Sequence, residues 1–109
     1  MKRYTIDYYS EKIESDVLQL PGTIQAKYWR FLDVMQEFGP NLGLPHTKPM
    51  GNGLFEMRLK GAEGIARVFY CTMINKKIIM LHSVIKKTTK TPPNELLIAN
   101  KRMKEIKNG

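Results

Sequence analysis

The chain has 109 residues, 42% of them hydrophobic, with one cysteine and a formal net charge of +8. That length suits one domain spanning residues 1–109, and the apolar fraction supports a real core and argues against disorder. The lone Cys71 excludes an internal disulfide and a paired-cysteine zinc site, and fits a reducing cytosol.

The charge is unevenly placed. Residues 1–38 carry five Lys/Arg against six Asp/Glu, residues 39–85 six against two, and residues 86–109 seven against two. The positive field belongs to the later chain, where it would attract a polyanion such as nucleic acid, or else simply solubilise the surface. The start, Met-Lys-Arg-Tyr-Thr-Ile-Asp-Tyr-Tyr, lacks the apolar core of a signal peptide. The run Ile78–Ile85 is too short to span a bilayer. A cytoplasmic location, with no membrane partner, is the expectation.

Residues 3–9 are aromatic and β-branched and predict a strand. Ser10 can cap a first helix carrying Ile13, Val17 and Leu20, stopped by Pro21-Gly22. The second helix has an apolar face of Ile24, Tyr28, Phe31, Leu32, Met35 and Phe38, and ends at Gly39-Pro40. Trp29 stands at the edge of that face, where packing is favoured over stacking on a base. Residues 39–53 hold four glycines, three prolines and two asparagines and predict a long loop carrying His46 and Lys48.

Three strands follow. In Leu54–Lys60, Phe55, Met57 and Leu59 alternate with Glu56, Arg58 and Lys60. The strand from Ile65 to Met73 carries one charge, Arg67, and Ile78–Ile85 is apolar on both faces. Short turns make these strands antiparallel neighbours. Thr91 and Pro92 then open a last helix with a stripe of Leu96, Ala99, Met103 and Ile106. The expected class is α+β, in the order β-α-α-β-β-β-α, with helices packed on a small, mostly antiparallel sheet.

No GxSxG, P-loop or HExxH motif is present, and the basic part has only Glu56, Glu63, Glu95 and Glu105 as carboxylates, too few and scattered for a metal centre. What remains is cationic: Arg58, Arg67, and the Lys86-Lys87 pair where the last strand ends, with Lys90 beyond. Arg67 is costly to place mid-strand and needs either a ligand or an ion-pair partner such as Glu56 or Glu63. Its planar fork suits a phosphate. A cation set of this kind can serve metal-free RNA cleavage, in which a base deprotonates the ribose 2′-hydroxyl, that oxygen attacks the adjacent phosphate, and an acid protonates the departing 5′-oxygen. A lysine crowded by other cations has a lowered pKa and can act as the base.

The ordered set Leu20-Pro21, Gly39–His46, Gly53–Arg58, Arg67–Tyr70 and Leu81–Glu95, with Ala99 and Arg102, resembles the RelE/HigB superfamily of type II toxin–antitoxin toxins, nearest its HigB-like branch, which includes phage-derived proteins. The match runs from about residue 15 to residue 103 in one order. The resemblance implies a compact RelE-like α+β domain. It also implies an endoribonuclease that cuts messenger RNA in the ribosomal A site without metal or other cofactor. An adjacently encoded antitoxin would neutralise it, and DNA would be met only through that antitoxin.

Carried over by position, Arg67 and Arg58 would hold the scissile phosphate, and Lys87 or Lys86 would transfer protons. Lys60, Lys90, Lys48 and His82 would line the substrate path, His82 having a packed strand position as its other reading. The pattern departs from relatives at Lys86-Lys87, where an arginine, histidine or tyrosine is usual. The alternative is a non-catalytic RNA- or partner-binding module descended from this family; a DNA-binding repressor lacks a helix-turn-helix pattern.

Overall fold

The structure, a computed structural model, describes residues 3–86 and 92–108. In chain order the elements are β1 (Thr5–Tyr8), α1 (Glu11–Leu18), α2 (Gly22–Phe38), β2 (Thr47–Gly51), β3 (Leu54–Gly61), β4 (Gly64–Met73), β5 (Lys77–Lys86) and α3 (Pro93–Asn108). The five strands form one mixed sheet in the order β1-β5-β4-β3-β2. The expected α+β class with a mostly antiparallel sheet is the observed one, and β1 is the exception, pairing parallel to β5.

One face of the sheet is covered by α1 and α2. Ile13 and Val17 of α1, and Ile24, Tyr28, Phe31, Leu32 and Met35 of α2, pack on Met57, Leu59, Ala66, Val68, Tyr70, Ile78 and Met80. Helical spacing singles out the α1 and α2 positions and strand alternation Met57 and Leu59, whereas Phe38, expected on the same face of α2, is 75% exposed. Ser10 caps α1, its hydroxyl accepting from the Ile13 amide at 3.3 Å. The other face is partly covered by α3, whose Ala99 and Met103 meet Leu54, Phe69, Cys71, Ile79 and Leu81.

Two features differ from expectation. Residues 47–51 of the Gly/Pro-rich stretch form a strand, β2, on the edge of the sheet. An edge strand tolerates Pro49, because one side of its ladder is unpaired. The last helix begins at Pro93, with the Pro92 carbonyl accepting from the Glu95 amide at 3.1 Å; Thr91, the expected cap, lies outside the described residues.

A register shift between β4 and β5 also matters for the site. Phe69 pairs with His82 but Tyr70 pairs with Met80, so Leu81 is an extra residue on β5. Ile79 and Leu81 therefore face α3, and beyond the bulge His82 and Val84 do too. No helix among the described residues is long and apolar enough to cross a membrane.

Candidate functional site

Alternation along β3 puts Phe55, Met57 and Leu59 in the helix-covered core and leaves Glu56, Arg58 and Lys60 on the opposite face. Antiparallel pairing sets Arg58 directly across from Arg67, and Lys60 across from Ile65. Two like charges opposed in this way destabilise a sheet unless a counter-charge joins them. Glu56 is that counter-charge. One carboxylate oxygen lies 2.9 Å from Arg58 Nε and the other 3.5 Å from Arg67 Nε.

Burial differs sharply across the trio. Glu56 and Arg67 are 0% and 1% exposed, whereas the Arg58 side chain is 36% exposed. A buried carboxylate and guanidinium hold each other in place because either alone would be costly. The ion pair with Glu56 that the sequence left open for Arg67 therefore exists, and it extends to Arg58.

Above the trio lies a cleft of about 310 Å³. Arg58 and Arg67 line it, together with Lys60 and Ile65 from the same two strands. Lys27 comes from α2, and Pro45 and His46 from the segment leading into β2. No α3 residue is part of the lining. Four cations against the one paired carboxylate give a net +3, counting His46 as neutral. Such a concave, cation-walled space concentrates anions.

Two polar lining residues, Lys27 and His46, were not among the site candidates of the sequence. Lys27 is half-buried, and its ammonium donates to the Lys60 carbonyl at 2.8 Å. His46 is exposed, its carbonyl accepts from the Arg58 amide at 2.9 Å, and its ring stands edge-on to Phe31 with centroids 5.0 Å apart. An imidazole at the rim offers a proton-transfer group within the cleft. The signals for His46 were its glycine- and proline-rich setting and its place at the end of the Gly39–His46 motif, and Lys27 had none beyond lying on the polar side of α2.

The remaining sequence candidates are dispersed. Lys48, on β2, is exposed and paired in register with Glu56, but does not line the cleft. His82 is not brought to the cleft either. It stacks on Phe69, meets Glu95 Oε2 at 2.6 Å through Nε2, and has Arg102 Nη1 3.3 Å from Nδ1. Arg102 also donates to the Leu81 carbonyl at 2.9 Å, so this group fastens α3 to β5. The backbone of Lys86 pairs with Ile65, one strand from the cleft wall; its side chain, and the whole of Lys87 and Lys90, lie outside the described residues. Among the described residues, no group of three or more His, Cys, Asp or Glu side chains is arranged to hold a metal ion.

No curated protein matches this chain. The model of the family described as phage derived protein Gp49-like (DUF891) matches residues 15–104, which include every element from within α1 to within α3. The chain therefore belongs to the Gp49-like phage-derived family, a toxin–antitoxin toxin family related to RelE and HigB.

Proposed function

We propose that the protein is the toxin of a type II toxin–antitoxin pair, and that it cleaves messenger RNA in the ribosomal A site without a metal ion. The observation that carries this reading is the cleft itself: Arg58, Arg67, Lys60 and Lys27 converge on one concave space with the His46 imidazole at its rim. A phosphodiester entering it meets cations positioned before the reaction begins, where they stabilise charge that grows on the phosphorane oxygens.

In the proposed step the 2′-oxygen forms a bond to phosphorus as its proton passes to a base. The bond from phosphorus to the 5′-oxygen breaks as an acid protonates that oxygen, giving a 2′,3′-cyclic phosphate and a 5′-hydroxyl. Arg58 takes the phosphate at the cleft surface, and Arg67 adds its charge from beneath. His46 is the proton-transfer group on the cleft side, and Lys86 or Lys87 is the second. Family membership supports an antitoxin as partner. The ribosome is the second proposed partner, and DNA is reached only through the antitoxin.

Induction of the protein should arrest growth, and the product of an adjacent gene should restore it. Arg58→Ala should abolish the arrest while the protein accumulates normally. If that variant stays fully toxic, the cleft is not the site. A second reading, a non-catalytic RNA- or partner-binding module, has one observation in its favour: Arg67 is buried on Glu56 and needs no substrate to justify it. On that reading, messages stay intact while ribosomes stall.

A further inference from the structure

The first turn of α2 lies directly against the end of β3. A Cβ at Gly61 would come within 2.5 Å of Thr23 Oγ1 and 2.8 Å of Ile24 Cγ1, so only glycine permits this approach. Thr23 uses it fully. Its hydroxyl accepts from the Ala62 amide at 3.0 Å and donates to the Glu63 carboxylate, and the same carboxylate lies 3.4 Å from the Thr23 amide. Pro21, at the cap position of α2, makes no side-chain capping bond. Glu63, in the β3–β4 turn, therefore supplies from another element the anion that a helix N-terminus favours. The hydrogen bond from Thr23 holds the Glu63 carboxyl below the usual carboxylate range, so the latch is charged at neutral pH.

One turn further along α2 stands Lys27. Its ammonium is pinned to the Lys60 carbonyl at 2.8 Å, at the wall of the cleft. An ammonium has three donors, and the carbonyl engages one of them. A lysine that only covered a helix surface would keep its charge free in water, whereas this one is half-buried and stands one turn after the latch.

On the reading of the cleft as a phosphodiester site, we propose that Lys27 is a substrate-contacting residue that binds a backbone phosphate of the RNA. We propose with it that the Thr23–Glu63 latch is the positioning device holding Lys27 at the cleft. The helix layer then belongs to the site, and not only the sheet.

The test is single-turnover cleavage of a message on programmed ribosomes, at varied protein concentration, with thermal unfolding of every variant. Lys27→Met should lower kcat/KM on the order of 10- to 100-fold, the loss of one charge-assisted hydrogen bond, and Lys27→Arg should recover most of it. Glu63→Gln, or Thr23→Val if the former folds poorly, should lower kcat/KM several-fold in the wild-type background and add nothing in the Lys27→Met background. Any loss of thermal stability from Glu63→Gln should be the same in both backgrounds, so a purely structural latch would not produce that pattern. Wild-type rates for folded Lys27→Met, with Arg58→Ala inactive, would overturn the role of Lys27 and leave the cleft reading intact. An undiminished effect of Glu63→Gln in the Lys27→Met background would overturn the latch. Absence of cleavage by the wild type would overturn the reading of the cleft, and this inference with it.

Discussion

Replacing Arg67 with methionine should destabilise the fold before it reports on function. Arg67 and Glu56 are 1% and 0% exposed and share a contact at 3.5 Å. Removing one member of a buried ion pair typically costs about 3–5 kcal/mol, because the survivor is left charged and desolvated. Glu56 keeps a contact with Arg58 at 2.9 Å, so the lower end applies. With an unfolding entropy of about 2.1 cal/mol/K per residue, 109 residues give about 0.23 kcal/mol/K, and a loss of about 3 kcal/mol lowers Tm by about 13 °C. Adding Glu56→Gln removes the stranded charge, so the double variant should be more stable than the sum of the single losses by at least about 1 kcal/mol. Urea titration followed by circular dichroism measures both quantities. A single variant within about 0.5 kcal/mol of wild type, the error of such additivity tests, would refute the account of Arg67 as one half of a buried pair, as would strict additivity. It also follows that Arg58, at the surface, is the cleaner probe of function.

Further outcomes follow from the same geometry. His46→Gln should reduce RNA cleavage on the order of 10²- to 10⁴-fold, the usual contribution of a positioned acid or base, with little change in Tm; an unchanged rate would remove His46 from proton transfer. Gly61→Ala should cost about 1–3 kcal/mol in thermal unfolding, because its methyl meets Thr23 and Ile24, and a neutral result would show that α2 shifts freely. The Glu63 carboxyl is lowered from 4.5 by its bond from Thr23, so the stability it adds is complete above about pH 5 and is lost as the pH falls through the lowered value. The difference in Tm between wild type and Glu63→Gln should shrink accordingly on acidification, and a pH-independent difference would contradict the assignment.

The strand and helix faces were legible because periodicity is local. Phe55, Met57 and Leu59, and Ile24 through Met35, reach the core that their spacing indicates. β2 was not legible, since Thr47–Gly51 holds a proline, a glycine and no alternation, and becomes a strand only because β3 offers it an edge. The parallel pairing of β1 with β5 joins residues about seventy positions apart and leaves no local mark. The extra residue at Leu81 changes which side of β5 faces α3, so strand parity alone could not place His82. Arg58 and Lys60 stood out because an alternating strand sets cations on one face, and Arg67 because it is the one charge of an otherwise apolar strand. Glu56 shared that alternation, but its complete burial between two arginines depends on cross-strand register. Lys27 and His46 arrive from a helix and an irregular segment, and only docking of α2 against Gly61 and pairing of β2 with β3 bring them to the cleft.

The claim that the cleft cuts RNA is tested most directly by mapping message ends in a reconstituted translation reaction. With the wild-type protein, the account predicts new 2′,3′-cyclic phosphate ends inside the translated frame, dependent on ribosomes, insensitive to chelator and absent with Arg58→Ala. Full-length message alongside halted ribosomes in the wild-type reaction would contradict it.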